Sequence, residues 1–129
     1  MGARPILERP RVFRTARFGR DARKALISDT ALCTAVGQVI AGQVDDLGGS
    51  VFKKRLNGNR HRAILLARLG RYWICEYLFA KKDRDNITDD ELAAFRLLAK
   101  SYAKLTDLQI AQLVSSKHFV EICHGNNEA

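Results

Sequence analysis

Residues 50–80 read SVFKKRLNGNRHRAILLARLGRYWICEYLFA, and this stretch decides the fold. Three runs rich in apolar residues are separated by two turn signals, Asn57-Gly58 and Leu69-Gly70. An Asn-Gly pair between such runs is the strongest short-range signal for a β-hairpin. The stretch therefore predicts three antiparallel strands, joined as a meander, over residues 50–56, 60–67 and 71–80.

Helical patterns precede the meander. Residues 12–16 predict a short strand, and residues 17–26 predict a basic helix. We expect Asp29 to cap a second helix, because a carboxylate accepts hydrogen bonds from the first backbone N–H groups. The apolar positions of this helix follow the helical repeat and end before Gly42: Leu32, Val36, Val39 and Ile40. A turn cluster over residues 45–49, DDLGG, leads into the meander.

Two more helices and a strand follow the meander. Thr88 and Glu91 have the spacing of a capping box, which predicts a helix that ends near Leu105. Residues 106–114 predict a shorter helix, and residues 118–123 alternate like a final strand. We therefore predict an α+β fold, in which a small antiparallel sheet (the three-strand meander plus terminal strands) packs against N- and C-terminal helices.

The length of the chain fits one domain. We predict a flexible arm over residues 1–10, a single domain over residues 11–124 and a polar tail over residues 125–129. The three cysteines include no CxxC pair, so we expect buried thiols in a reducing cytosol rather than a zinc site. No signal peptide is recognisable, and the longest apolar runs are too short to span a bilayer. The sequence therefore predicts a cytoplasmic protein that does not contact membranes.

Positive charge is concentrated in the first half of the chain, and the formal net charge is +8. Residues 1–71 hold 15 Lys/Arg against 5 Asp/Glu, whereas residues 72–129 hold 7 against 9. A one-sided basic field of this kind favours a polyanionic partner. Nucleic acid, an acidic membrane and an acidic protein all meet that description.

The first hairpin places four cations on one face of the sheet. With a two-residue turn, Arg55 pairs with Arg60 and Lys53 pairs with Arg62, and strand alternation puts all four side chains on the same side. Like charges directly opposite each other destabilise a sheet. A bound anion such as phosphate would explain the arrangement, and a solvated sheet face is the alternative.

The second hairpin extends this row of cations. With a turn at residues 69–70, Arg62 meets Tyr77, and Phe79 and Lys81 continue along the same face. The two aromatic residues either stack on a nucleic-acid base or belong to the core. Cations beside an exposed aromatic ring would clamp a phosphate and stack a base, which is typical of single-stranded nucleic-acid binding.

Such a row can cleave RNA through the RNA's own 2′-hydroxyl. The reaction needs a base for the hydroxyl proton, positive charge near the phosphate and an acid for the departing 5′-oxygen. Lys53 and Lys81 are candidates for proton transfer, since neighbouring arginines disfavour the charged form of a lysine. Arg55 and Arg62 would hold the phosphate, whereas His61 lies on the other side of its strand and has a structural role as its alternative. We expect no metal or other cofactor, because the acidic residues after the meander suit helix capping better than magnesium binding.

The sequence resembles the RelE/HigB group of type II toxins in three stretches. Within residues 13–29 they are FRT (13–15), FGRDARK (18–24) and ISD (27–29); within residues 45–55, DDLGG (45–49) and VFKKR (51–55); and within residues 79–92, FAKKDRDNI (79–87) and DEL (90–92). The resemblance extends from about residue 12 to residue 121 and implies a compact α+β toxin that enters the ribosomal A site and cuts mRNA. It also implies inhibition by an antitoxin encoded alongside, of helix-turn-helix type, through which any contact with operator DNA is made.

The resemblance also points to site residues. Similar family members use a lysine on the second strand, an arginine on the third and a lysine after the fourth. The positions that match here are Lys53 with Arg55, then Arg62, then Lys81. Tyr77, from the row described above, completes the candidate catalytic residues. The candidate RNA-binding residues around them are Arg55, Arg60, Lys54, His61, Phe79 and Lys82. The loop between the second and third strands is shorter here than the glycine- and lysine-rich loop common in the family.

The four cations on one face of the sheet, Lys53, Arg55, Arg60 and Arg62, are called the basic row. Two other functions fit this row. The related ParE branch has a similar fold and poisons DNA gyrase, in which case the row need not be catalytic. A plain nucleic-acid-binding module would bind RNA with strong salt dependence, leave it intact and not harm cells. Which process stops first in cells, translation or DNA replication, separates a gyrase poison from an mRNA-cleaving toxin.

Overall fold

The structure is a computed structural model that describes residues 10–68 and 71–123. In this part of the chain the elements follow one another as β1 (Arg11–Thr15), α1 (Ala16–Lys24), α2 (Asp29–Ile40), β2 (Asp45–Gly48), β3 (Val51–Leu56), β4 (His61–Arg68), β5 (Tyr72–Ala80), α3 (Asp89–Ala103), α4 (Asp107–Ser115) and β6 (Phe119–Ile122). The predicted α+β class is confirmed. Apart from Pro10, the predicted arm lies outside the described residues, as does the polar tail.

Capping side chains mark where the helices begin. Each of the four helices is preceded by a hydroxyl side chain that accepts a hydrogen bond from the first turn: Thr15, Ser28, Thr88 and Thr106. The predicted capping box of α3, formed by Thr88 and Glu91, is confirmed. The prediction that Asp29 caps α2 is wrong, because Ser28 Oγ accepts from the N–H of Ala31 at 3.1 Å. Within the described residues, no helix is both long enough and apolar enough to cross a membrane.

The strands form one six-stranded sheet in the order β2-β3-β4-β5-β1-β6. The core on one face includes Phe18 of α1 and Leu32 of α2, packed with Leu65 of β4. The core on the other face includes Ile64 and Leu66 of the same strand, beneath α3. Most of the central strand is therefore buried on both faces, and the strand ends carry the side chains that can reach a ligand.

The sheet is mixed rather than purely antiparallel as predicted. β1 pairs with β5 in parallel, while the other strand pairs in the described chain are antiparallel. Parallel neighbours need a long crossover, and here α1, α2 and three strands separate β1 from β5. A pattern local to each strand does not reveal a partner so distant in sequence.

The first hairpin has a longer turn than predicted. Leu56 pairs with His61, so the turn holds four residues rather than two. Asn57 and Asn59 both have positive φ, at 55° and 71°, which extends the left-handed backbone beyond the Asn-Gly pair. The register shifts by two residues, and Arg55 lies opposite Arg62. A shift of two keeps every side chain on its predicted face, because strand alternation has a period of two.

The second hairpin contains a β-bulge that the sequence did not predict. Its turn at residues 69–70 lies outside the described residues, but the register is clear on either side of the bulge. Ile64 pairs with Tyr77 and the next residue, Leu65, pairs with Cys75, so Glu76 is the extra residue. The predicted pairing of Arg62 with Tyr77 is wrong, since Arg62 pairs with Phe79.

Two further predictions from composition are wrong. Residues 45–48 form the edge strand β2 rather than a turn, with a register shift near its end and the actual turn at Gly49 and Ser50. Cys33 and Cys123 form a disulfide that joins α2 to the residue after β6, so they are not free thiols. Cys75 is a buried free cysteine as predicted, and burial raises the pKa of its thiol to about 12.

Candidate nucleic-acid interface

The basic row forms at one end of the central strands. Arg55 of β3, Arg62 of β4 and Phe79 of β5 lie side by side across the sheet. The adjacent row on the same face reads Lys53, Ile64 and Tyr77. Arg55 and Arg62 are thus directly opposite each other, an arrangement that like charges make unfavourable unless an anion lies between them.

Arg62 is largely buried and braces the turn between β3 and β4. The residue is only 8% exposed, and its Nη1 donates to the carbonyls of Asn59 at 3.0 Å and His61 at 3.2 Å. Every buried side-chain nitrogen and oxygen in the described chain has a partner. Nε and Nη2 of Arg62 donate to no group there, so they reach solvent. Arg62 therefore holds the turn with one nitrogen and leaves two for an anion.

Lys53 has an acidic neighbour on the edge strand. Its Nζ lies 4.0 Å from Asp45 Oδ2, and Asp45 is the cross-strand partner of Lys53 in β2. The lysine side chain is 17% exposed and the aspartate side chain 61%. The edge strand therefore places one carboxylate beside the lysine that the sequence led us to expect among arginines.

Lys81 and Lys82 follow β5 at the open end of the sheet. Both residues are exposed, and the N–H of Lys81 donates to the carbonyl of Arg60 at 2.9 Å, which extends the hairpin by one bond. Within the described residues, neither lysine has a carboxylate within 4.0 Å. Their ammonium groups are available to a ligand.

Tyr77 is held between two arginines that sequence reasoning did not place in the site. The guanidinium carbon of Arg17 lies 5.5 Å from the Tyr77 ring centroid. Arg84 Nη1 donates to the Tyr77 hydroxyl oxygen at 3.2 Å, which leaves the phenolic proton free to be donated elsewhere. Phe79 stacks on Tyr77 with ring centroids 5.6 Å apart.

Arg84 is fixed by Glu91 in the first turn of α3. Arg84 Nη1 donates to Glu91 Oε2 at 3.0 Å, and Nη2 donates to Glu91 Oε1. The Arg84 guanidinium, followed by the Thr88 backbone, holds the pKa of Glu91 at about 2. The capping box in the sequence predicted that Glu91 caps α3. Its contact with Arg84 depends on how the loop between β5 and α3 folds, and no pattern in the sequence indicated that contact.

Phe79 and Lys54, two of the predicted RNA contacts, both make contacts within the protein. Phe79 is only 5% exposed and belongs to the core beneath α3, with Ile87 packed beside it. Lys54 has the opposite strand parity from the basic row, and its Nζ donates to the carbonyl of Gln43 at 2.9 Å. α3 covers the side chain of Phe79, and the segment before β2 accepts the hydrogen bond from Lys54.

Arg60 is the last residue of the turn beside the row, and His61 is the first residue of β4. Arg60 wraps Asn57, with Nε donating to its carbonyl at 3.1 Å and Nη2 to its Oδ1 at 3.2 Å. His61 Nδ1 lies 3.2 Å from Asn57 Nδ2. Burial, then the charges of Arg60 and Lys82, lower the pKa of His61 below its usual 6.5. His61 is therefore a neutral imidazole near pH 7 and lies on the other face from Arg62.

A groove of about 390 Å³ lies between α1 and the end of β5. Its cationic lining residues are Arg17, Lys24, Lys82 and Arg84, with His61 and Tyr77 beside them. Asp21 and Asp83 also line it, so its charge is positive but not uniform. Tyr77 lines this groove and also lies on the face of the sheet that carries Lys53, so the groove adjoins the basic row.

The family described as "RelE toxin of RelE / RelB toxin-antitoxin system" has a model that matches residues 10–122. The chain belongs to the RelE toxin family. The match covers the whole described sheet and all four described helices, and the predicted resemblance is confirmed. None of the curated proteins and none of the solved structures compared with this RelE-family toxin matches it significantly. Membership implies a toxin whose partner is an antitoxin.

Proposed function

We propose that this RelE-family toxin is a ribosome-dependent endoribonuclease that cleaves mRNA in the cytoplasm and is neutralised by its antitoxin. The observation that supports the proposal best is the guanidinium of Arg62, which is anchored through Nη1, has no partner for Nε and Nη2 among the described residues, and lies opposite Arg55 in the sheet. An arginine held in this way presents a preorganised pair of donors to a phosphate. Family membership supplies the toxin function, and the site supplies the chemistry.

The proposed reaction is an attack of the ribose 2′-oxygen on the adjacent phosphorus. A P–O2′ bond forms and the P–O5′ bond breaks, leaving a 2′,3′-cyclic phosphate and a 5′-hydroxyl. Lys81, which is exposed and has no carboxylate within 4.0 Å among the described residues, is the proposed acceptor of the 2′-hydroxyl proton. Arg62 and Arg55 stabilise the charge on the non-bridging phosphate oxygens.

Two groups near the row are suited to protonate the departing 5′-oxygen. Tyr77 accepts a hydrogen bond from Arg84, which orients its phenolic proton away from that arginine. Lys53, a cation beside Asp45, lies on the same face two strands away, a spacing of about 10 Å between backbones. We propose Tyr77 as the acid and Lys53 as a cation that binds the phosphate backbone. Side chains supply the base, the acid and the charge, so this mechanism needs no metal.

The flanking RNA contacts follow from exposure and charge. Arg60 and Lys82 border the row on its open end and would bind neighbouring phosphates. His61 lines the adjoining groove and would contact RNA there as a neutral group. These three side chains are proposed to position the RNA rather than to transfer protons.

The first test compares Lys81→Ala with Lys100→Ala, a matched variant of an exposed lysine on α3. Each toxin is induced in bacteria without its antitoxin, and new mRNA 5′ ends are mapped. We expect Lys81→Ala to lower cleavage about 10²- to 10⁴-fold, the usual contribution of a general base, and Lys100→Ala to cleave like the wild type. Cleavage by Lys81→Ala at the wild-type rate would contradict the assignment of the base.

The wild-type outcome separates the rival functions. Growth arrest with cuts inside translated regions supports the nuclease. Arrest without new mRNA ends would indicate a gyrase poison, and growth without arrest would indicate a plain RNA-binding module.

Arg62→Ala is a poorer probe of the site than Lys81→Ala, because it also removes the hydrogen bonds that hold the turn. The melting temperature of this variant has to be measured beside its activity.

A further inference from the structure

Leu26, between α1 and α2, is a bulky apolar residue in an unusual position. Its side chain is 90% exposed, and its backbone is left-handed, with φ at 60°. The N–H of Leu26 donates to the carbonyl of Arg23 at 3.1 Å, and the N–H of Ile27 donates to the carbonyl of Ala22 at 2.9 Å. These two bonds define a Schellman motif, in which Leu26 occupies the position that glycine usually takes.

The fold does not account for a leucine at this position. A left-handed backbone is unfavourable for a bulky side chain, and glycine adopts it without that cost. The leucine side chain is absent from the core clusters, whereas its neighbours Ala22 and Ile27 both belong to one. The residue therefore lowers stability without contributing burial within the described chain, which points to a contact outside it.

Leu26 borders a groove of about 320 Å³ between α2 and the turn that joins β3 to β4. Ala31 and Ala35 of α2 line one side of the groove, and Leu56 at the end of β3 lines another. The single charged lining residue is Arg55, which is exposed and has no carboxylate within 4.0 Å in the described chain. The groove thus combines apolar surface and one uncompensated cation with several polar side chains: Ser28, Thr34, Gln38, Asn57 and Asn59.

We propose that this groove is the docking site of an acidic, amphipathic segment of the antitoxin. An apolar side chain of that segment covers Leu26, and a carboxylate binds Arg55. The complementarity of charge supports this occupant, since the one charged residue that lines the groove is the exposed cation Arg55. The docking itself rests on family membership, and its inhibitory consequence rests on the proposed function.

Docking at this place would explain neutralisation directly. Arg55 is the cross-strand partner of Arg62, so a carboxylate on Arg55 occupies the position proposed for the RNA phosphate. The apolar contact at Leu26 supplies affinity away from the row, where RNA does not compete for it. The antitoxin then both anchors beside the site and cancels part of its charge.

The test measures the affinity of the purified antitoxin, encoded beside the toxin, by titration calorimetry. Leu26→Gly is the informative variant, because glycine suits the left-handed backbone and the melting temperature should stay equal or rise. We expect the affinity to fall about tenfold or more, as when an apolar anchor leaves an interface. Leu108→Ala, which truncates another leucine that is 69% exposed, is the matched control and should bind within about twofold of the wild type.

Two results would overturn the proposal. One is antitoxin affinity unchanged in Leu26→Gly. The other is a toxin dimer that Leu26→Gly dissociates while antitoxin affinity stays constant, which would make the groove a contact between two copies of this chain. Arg55→Glu should weaken the antitoxin as well, and wild-type affinity in that variant would contradict the carboxylate contact. Calorimetry does not depend on RNA cleavage, so failure of the proposed nuclease function would be recognised separately by mapping of mRNA ends.

Discussion

Tyr102 of α3 donates a hydrogen bond from its hydroxyl to Glu76 Oε1, at 2.7 Å. Glu76 is the bulged residue of β5, and this bond joins the strand that carries Tyr77 to the helix that covers it. Burial raises the pKa of Glu76 above 4.5, while the Tyr102 hydroxyl and the charge of Arg17 oppose that shift. Replacing Tyr102 with Phe removes the hydroxyl and keeps the ring, which packs edge-on against Phe119.

The loss of stability expected for Tyr102→Phe depends on whether the acceptor, Glu76, is charged. A hydrogen bond to a charged group contributes about 1.5–3 kcal/mol, whereas a bond to a neutral group contributes about 0.5–1.5 kcal/mol. A carboxyl with a raised native pKa favours the folded state fully below its unfolded pKa, and that contribution is lost as pH rises through the folded value. Tyr102→Phe raises the pKa of Glu76 further. We therefore expect a larger loss of stability at pH 7.5 than at pH 4, because the difference in the pKa of Glu76 between the two proteins lowers stability only as this carboxyl loses its proton.

The assay is urea denaturation of the wild type and Tyr102→Phe at both pH values. At pH 7.5 the loss of about 1.5–3 kcal/mol corresponds to a fall in melting temperature of roughly 6–12 °C for a domain of this size. Tyr72→Phe is the matched control, since the Tyr72 hydroxyl donates at 3.1 Å to Asp107, an exposed carboxylate. We expect a smaller and less pH-dependent loss for that variant. Equal losses for Tyr102→Phe at the two pH values would refute the reasoning.

Two more predictions concern His61 and the disulfide. Because burial and nearby cations lower the pKa of His61, its contribution to stability is complete above pH 6.5 and is lost as pH falls through the lower folded pKa. His61→Gln should remove that acid-dependent loss in denaturation curves measured between pH 7.5 and 5, and an unchanged pH profile would contradict it. Cys33 and Cys123 are 90 residues apart, so reduction should lower the free energy of unfolding by up to about 4.5 kcal/mol. Cys33→Ser should show the same loss without reductant and no further response to it, and a wild type insensitive to dithiothreitol would argue against the bond.

The predicted elements and the observed ones agree best where the signal is local. The capping box at Thr88 and Glu91 placed the start of α3, because both hydrogen bonds lie within four residues. The Asn-Gly pair correctly predicted a hairpin, but Asn59 also adopts positive φ and lengthens the turn. The β-bulge at Glu76 and the parallel pairing of β1 with β5 depend on contacts between distant segments, and no local pattern indicated them.

The candidate site was predicted only in part, because local patterns indicate which face of a strand a residue lies on but not which elements cover that face. Lys53, Arg55 and Arg62 share a face as predicted, because a register error of two residues conserves strand parity. The burial of Arg62 and Phe79 was missed, since it depends on the turn carbonyls and on α3, both placed by tertiary packing.

The sequence by itself determined the α+β class, the central hairpins and the concentration of cations on one face of the sheet. These follow from short-range rules: capping, turn preference and the alternation of side chains along a strand. The tertiary structure alone decided which parts of that face α3 covers, that Arg84 reaches Tyr77, that Cys33 meets Cys123, and that Leu26 is left exposed beside a groove. Each of these depends on how separate elements pack against one another, and packing is set by the whole chain rather than by neighbouring residues.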